Sequence, residues 1–210
     1  MRLLIICRAA TEAAAPRRVD SEGFRAFCAL EAEGPIAPVT EKKPERLGRP
    51  VYTAPGGAAR QTAAQLFGEG EFIEEPLLRD LPCRPFTDTK RRLPLWFWRL
   101  MAWLQRLFGS RRQPEPRRES AARADALIEE LSKRGGEAIL IVPLSFLPIL
   151  LDRLRLRGCC YHRSGLFRFQ PLERVLVTGR DLHCGGCQHN CLLASPGCNI
   201  GRDKAARQKT

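Results

Sequence analysis

The chain opens with a continuous apolar run, Leu3 to Cys7, followed directly by Arg8. Such a run is typical of a strand that is buried on both faces of a sheet. Open α/β sheets bind their ligands beyond the carboxyl ends of their strands, which is where Arg8 stands. A length of 210 residues fits one domain with a sizeable hydrophobic core.

A second stretch has the pattern of a short strand, a Pro-Gly turn and the start of a helix. It begins at Val51, passes through Pro55 and continues to Ala63. Together the two stretches resemble the histidine phosphatase (phosphoglycerate mutase-like) superfamily. In that family the first strand ends in Arg-His-Gly-x-Thr, and the second motif reads Ser-Pro-x-x-Arg-x-x-Gln-Thr-Ala. The residues that match are Arg8, Pro55, Gln61, Thr62 and Ala63.

The resemblance extends over about residues 2–178 and implies a fold. The expected fold class is α/β, with three α/β/α layers, a mostly parallel central sheet and a helical lid insertion at about residues 86–118. We expect this domain to occupy residues 1–180.

Several positions depart from the family pattern. Ala9 stands where the resemblance places the nucleophilic histidine, Leu144 where it places the second histidine, and Ala58 where it places an arginine. Asp80 stands at the position of the general acid, normally a glutamate. Arg60 lies two residues beyond Ala58, about 200° around a helix, and is predicted to point elsewhere.

These departures remove the groups on which the family's reaction depends. An alanine methyl cannot attack phosphorus, and neither alanine nor leucine donates a hydrogen bond to a transferring phosphoryl group. We therefore expect a catalytically inactive relative that binds a phosphorylated small molecule or protein. Arg8 is the expected phosphate ligand, with Arg60 joining only if the helix start is displaced from the family register.

An active phosphatase with an altered mechanism is the first alternative. It would use Asp80 together with an unidentified nucleophile or a metal-held water. The candidates for the nucleophile are Cys7, Thr11 and Ser145.

The segment Lys90–Arg118 has nine basic residues and one acidic residue, and it includes all three tryptophans of the chain. Leu93–Phe108 has helical periodicity, with Leu100, Trp103 and Leu107 on one face. The pattern favours a lid helix packed over the sheet. The alternatives are an interfacial helix on an anionic membrane, a docking face for a partner, and a nucleic-acid contact.

Four cysteines are concentrated near the end of the chain, at Cys184, Cys187, Cys191 and Cys198. Four thiolates complete a tetrahedral shell, so the spacing predicts a metal site in a tail at residues 181–201. Zinc is the first choice and a 4Fe-4S cluster the alternative. His183 or His189 could replace one cysteine. A metal or redox sensor that acts through this cluster is a further functional alternative, and residues 202–210 are expected to be a disordered basic end.

Other expectations concern location and secondary structure. Without a long apolar run or a secretory signal, the location is predicted to be cytoplasmic. Helices are predicted over Gly23–Glu33, Ala58–Phe67 and Leu147–Arg157, and from an N-cap at Ser120 to Gly135. Closing strands are predicted at Gly165–Gln170 and Arg174–Val177.

Overall fold

A computed structural model of the protein describes residues 1–40, 44, 48–163 and 169–179. Its centre is a six-stranded sheet in the order β4-β3-β6-β1-β8-β7. The strands are β1 (Arg2–Cys7), β3 (Val51–Thr53), β4 (Ile73–Glu74), β6 (Glu137–Val142), β7 (Cys160–Arg163) and β8 (Arg174–Thr178). The first four of these pair in parallel, whereas β8 runs antiparallel to β1 and β7 antiparallel to β8. The mostly parallel sheet that we predicted is therefore confirmed.

Five helices are described, namely α1 (Ser21–Glu33), α2 (Gly57–Phe67), α3 (Leu95–Leu107), α4 (Arg117–Lys133) and α5 (Leu147–Leu156). A 3-10 turn spans Pro76–Leu78, and β2 (Arg18–Val19) pairs with β5 (Leu93–Pro94) in a separate two-stranded ribbon. Helices α1 and α2 pack together, as do α4 and α5. The predicted helices over residues 23–33, 58–67, 93–108 and 147–157 are confirmed to within two residues at each end.

The core lies on both faces of β1 and β6. Leu3, Ile5 and Ile6 of β1 are fully buried, and so are Ile139 and Ile141 of β6. Successive residues of a strand point to opposite faces, so burial of adjacent residues requires helices on both sides of the sheet. The α/β fold class read from the first strand is confirmed.

One prediction about a helix end was wrong. Ser120 does not cap its helix, because α4 already begins at Arg117 after Pro116. Ser120 lies inside the helix, where its hydroxyl donates back to the Pro116 carbonyl, as serines in helices commonly do. Residues 165–168 of the strand expected at Gly165–Gln170 lie outside the described residues, so that strand stays a prediction there; Phe169 and Gln170 are not in a strand, and the described strand next to β8 is Cys160–Arg163.

Within the described ranges, every helix is too short or too polar to cross a lipid bilayer. The cytoplasmic location stays a prediction.

Candidate functional site

The parallel strands bring the predicted site residues to one edge of the sheet. Arg8 follows β1, and Leu144 follows β6, its parallel neighbour. Asp80 comes from the segment after the 3-10 turn that follows β4. Arg8, Asp80 and Leu144 line one cavity of about 700 Å³. The topology therefore brings these three residues together at one cavity.

Arg8 is held by contacts on both its backbone and its side chain. Its backbone N–H donates to the carbonyl of Val142, 2.9 Å away. Its guanidinium forms an ion pair with Asp80, with Nη2 3.0 Å from Oδ2, and the Arg8 side chain is 15% exposed. The anion position at the end of β1 is thus occupied from within the chain by a carboxylate.

Asp80 also accepts two hydrogen bonds. One comes from the Ser145 hydroxyl and the other, 2.8 Å long, from the backbone N–H of Leu81. Ser145 lines the same cavity. The Ser145 hydroxyl therefore contacts the Asp80 carboxylate, which in turn contacts the Arg8 guanidinium, at the cavity wall.

Ala9 and Ala58 lie outside this cavity. Both are buried with Ile36 in a small apolar cluster, with Ala9 3% exposed and Ala58 fully buried. The Ala9 N–H donates to the Thr62 hydroxyl at 3.1 Å, which in turn donates to the Ala58 carbonyl at 2.7 Å. The position of the family's nucleophile is thus packed against apolar side chains.

The segment that carries Ile36 is tied to its surroundings through its backbone. The Ile36 N–H donates to the Gln61 side chain at 3.2 Å, and the Val39 N–H donates to the Gln65 side chain at 2.7 Å. The Ala37 N–H donates to the Ala10 carbonyl at 2.9 Å. By accepting this hydrogen bond, the Gln61 side chain holds Ile36 against Ala9 and Ala58.

Arg60 is exposed on α2 and is not among the residues that line the cavity. Its backbone N–H donates to the Gly56 carbonyl in the first turn of the helix. The helix start follows the register read from the sequence, in which Arg60 points away from Ala58. Arg60 therefore does not join Arg8 at the cavity.

The cavity has four further arginines that motif reasoning missed: Arg25, Arg84, Arg99 and Arg106. Arg99 pairs with Glu31 at 2.6 Å, and Arg106 donates to the Pro82 carbonyl at 2.6 Å. The Arg106 Nε is buried and has no hydrogen-bond partner in the described part of the chain. Arg99 and Arg106 are seven residues apart on α3, so their side chains lie on the same stripe of that helix. The spacing alone does not predict that a cavity adjoins this stripe.

A buried ion pair positions the segment that delivers Asp80. The Arg123 guanidinium donates to Glu115 at 3.0 Å and to the carbonyls of Leu77 and Arg79 at 2.7 and 2.9 Å. It also lies over the ring of Phe146, 4.2 Å from the centroid. Burial raises the pKa of Glu115, but the charge and the hydrogen bond of Arg123, together with the charge of Arg79, hold that pKa below its ordinary value of 4.5. Arg123 is therefore a positioning residue for the turn before Asp80.

Cys7 is excluded as the substitute nucleophile by its surroundings. It is fully buried, and burial raises the pKa of its thiol to about 12. Residues 1–179, where described, contain no group of three or more His, Cys, Asp or Glu side chains suited to a metal ion. The predicted ligands Cys184, Cys187, Cys191 and Cys198 lie outside the described residues, so the metal site stays a prediction.

No protein-family model and no curated protein matches this chain. Among solved structures, it is similar to a phosphoserine phosphatase mutant from Entamoeba histolytica in complex with phosphoserine. That match has a TM-score of 0.45 and 14% identity, covering 73% of this chain and 79% of the other. The chain is also similar to an Escherichia coli protein named as an alpha-ribazole-5′-P phosphatase, with a TM-score of 0.43, 16% identity and the same coverage of both chains.

Proposed function

We propose that the protein binds a phosphorylated small molecule or protein segment in the arginine cavity and does not hydrolyse it. The proposal rests on one observation. Arg8 and Ala9 are adjacent in the sequence, but only Arg8 lines the cavity. Ala9 is buried beneath Ile36. An anion can therefore reach the guanidinium, and the chain has no imidazole at the next position to attack it.

The charge of the cavity supports an anionic ligand. Five arginines line it, against two carboxylates, Glu31 and Asp80. Arginine binds phosphate oxygens with paired N–H donors. The apolar lining residues Ala102 and Leu144 would contact the part of the ligand that bears the phosphate.

Calorimetric titration tests the binding. The ligands are inorganic phosphate and phosphate monoesters of increasing size, and the variants are Arg8→Ala and Arg60→Ala. Arg60 is the matched control because it is an exposed arginine outside the cavity. We expect Arg8→Ala to weaken binding about tenfold or more, as loss of a charge-assisted hydrogen bond does, and Arg60→Ala to leave it unchanged. Equal affinity in Arg8→Ala and the unaltered protein would refute a role for the cavity.

A specific contact favours a second candidate, a phosphatase with an altered mechanism. The Ser145 hydroxyl donates to Asp80, as a nucleophile does to its base, and Arg8 lies next to that base. In this mechanism the Ser145 oxygen attacks phosphorus and Asp80 takes the hydroxyl proton. The bond from phosphorus to the ester oxygen breaks, the alcohol leaves with that proton, and water then hydrolyses the phosphoserine to give inorganic phosphate. Phosphate release from a monoester that is lost in both Ser145→Ala and Asp80→Asn would favour this candidate. A release rate equal to that of buffer would dismiss it.

For the tail we propose a bound zinc ion, or a 4Fe-4S cluster as the alternative. The support is the sequence spacing of its four cysteines alone. Elemental analysis of anaerobically purified protein tests this proposal, with a Cys184→Ser/Cys187→Ser variant as the comparison. One zinc per chain without colour supports zinc, whereas iron with a brown chromophore supports the cluster and the sensor alternative. Equal metal content in the variant would overturn both.

A further inference from the structure

Two cysteines far apart in the sequence meet in the wall of the cavity. Cys28 lies on α1, and Cys83 lies in the segment between the 3-10 turn and β5. Both line the cavity, and both pack against the apolar cluster formed by Phe24, Phe27, Leu95 and Trp98. Each thiol shifts the pKa of the other, which indicates that the two side chains lie near each other. The fold therefore brings two thiols together in the wall of one cavity.

The two thiols have different surroundings. The neighbouring Cys28 side chain, together with the charges of Arg106 and Arg99, holds the pKa of Cys83 below its ordinary value of 9.0, although burial opposes this. The Cys83 side chain and burial raise the pKa of Cys28. The Cys28 side chain and the nearby arginines therefore favour ionisation of Cys83 over ionisation of Cys28.

The arginines beside Cys83 are themselves fixed. Arg106 donates to the carbonyl of Pro82, the residue before Cys83, and Arg99 is paired with Glu31 on α1. Positive groups held near a thiol are the usual setting of a reactive cysteine. Cys7 offers a contrast within the same chain, because it is fully buried and burial raises its pKa to about 12.

We propose that Cys28 and Cys83 form a redox-active dithiol that a hydroperoxide oxidises to a disulfide. In the first step the Cys83 thiolate attacks one peroxide oxygen, the O–O bond breaks, and Cys83 becomes a sulfenic acid as the other oxygen leaves as water after protonation. In the second step the Cys28 sulfur attacks the Cys83 sulfur and displaces the hydroxyl group, which leaves as water with the Cys28 proton. Two thiols and one hydrogen peroxide thus give one disulfide and two waters.

The disulfide would join two walls of the cavity. It would link α1, which contributes Arg25 and Glu31, to the segment that contributes Asp80 and Arg84. The inference does not depend on which ligand the cavity binds, because the positions of Cys28 and Cys83 are set by the fold itself.

Peptide mapping tests the proposal directly on the full chain. The protein is treated with one equivalent of hydrogen peroxide, alkylated and digested with trypsin. Cleavage places Cys28 in peptide 26–42, Cys83 in peptide 80–90 and all four tail cysteines in peptide 181–202. We expect a cross-linked species with the summed mass of peptides 26–42 and 80–90. Oxidation confined to the tail peptide, with peptides 26–42 and 80–90 still fully alkylated, would overturn the proposal.

Three serine variants separate the roles of the two cysteines. In Cys28→Ser, Cys83 should accumulate as a sulfenic acid that dimedone traps, because the second thiol is missing. In Cys83→Ser, Cys28 should stay reduced at the same peroxide concentration. Cys160→Ser is the matched control and should leave the cross-link unchanged. A Cys28 sulfenic acid in Cys83→Ser, formed as fast as the cross-link, would contradict the assigned order.

Discussion

The Arg8 guanidinium and the Asp80 carboxylate lie 3.0 Å apart at the cavity wall, with side chains 15% and 30% exposed. An anionic ligand that approaches Arg8 must therefore compete with Asp80 or share the guanidinium with it. We expect Asp80→Asn to strengthen phosphate binding roughly fivefold, which corresponds to about 1 kcal/mol for a partly exposed ion pair. Calorimetric titration with inorganic phosphate measures the effect.

The same variant distinguishes the two candidate functions. A binding protein gains affinity in Asp80→Asn, whereas a phosphatase that uses Asp80 as its base loses turnover. Asp152→Asn is the matched control, because Asp152 pairs with Arg155 on α5 and neither residue lines the cavity. Weaker phosphate binding in Asp80→Asn than in the unaltered protein would contradict the competition between carboxylate and ligand.

Ala9→His tests whether the family's nucleophile can be restored by one substitution. Ala9 is buried with Ile36 and Ala58, so an imidazole there overpacks the cluster. We expect a loss of about 1–3 kcal/mol in the free energy of unfolding and no phosphate release from monoesters. Urea denaturation measures the loss. The control is Ala10→His at the exposed neighbouring position, where we expect a change within about 0.5 kcal/mol.

A second substitution sharpens the test of overpacking. Ile36→Ala makes room beside Ala9, so the double variant Ala9→His/Ile36→Ala should lose less stability than the two single losses added together. Additive losses would show that the imidazole does not press on Ile36. Phosphate release by Ala9→His alone would show that position 9 still reaches the cavity.

The ion pair of Arg123 with Glu115 gives a prediction about pH. Glu115 is buried, and we expect Glu115→Gln to destabilise the fold at pH 7 by about 3 kcal/mol, because it leaves the buried Arg123 charge unpaired. The pKa of Glu115 lies below 4.5 in the folded chain, so its contribution is complete above pH 4.5 and is lost as the pH falls through the folded value. The difference in stability between the unaltered protein and the variant should therefore narrow below pH 4.5.

Urea denaturation between pH 3 and pH 7 measures the difference in the free energy of unfolding between the unaltered protein and Glu115→Gln. Glu129→Gln is the control, since Glu129 pairs with Lys133 on the exposed face of α4 and its loss should change stability far less. A difference between Glu115→Gln and the unaltered protein that stays constant down to pH 3 would show that Glu115 does not titrate as this ion pair requires.

Some of the site followed from sequence because strand ends are local features. Arg8 and Leu144 come directly after buried strands, and parallel strands bring their carboxyl ends to one edge. Ile36 over Ala9 was not predictable, because its position depends on side-chain acceptors from another helix. The proximity of Cys28 and Cys83 was equally hidden, since it joins helix α1 to a loop more than 50 residues further along the chain. Contacts between a loop and a distant element leave no periodic signal in the chain.

The outer face of α3 carries large apolar side chains that the rest of the described chain does not cover. Trp98 is fully buried, but Trp96, Trp103 and Phe108 are 66%, 55% and 80% exposed. Exposed basic residues lie close by in the sequence, at Lys90, Arg91, Arg92 and Arg111. Aromatic and basic groups together are typical of helices that lie in the interface of an anionic membrane.

We therefore expect the protein to bind vesicles that contain anionic lipid and to release them as the salt concentration rises. Cosedimentation measures the binding, and a blue shift in tryptophan fluorescence reports entry of the exposed indoles into the interface. Trp96→Ala/Trp103→Ala should lose most of the binding, whereas Leu156→Ala, which removes an exposed leucine from α5, should retain it. Vesicle binding that survives the double variant, or salt-dependent binding to duplex DNA in place of vesicles, would show that the basic residues act without the tryptophans and would contradict an interfacial helix.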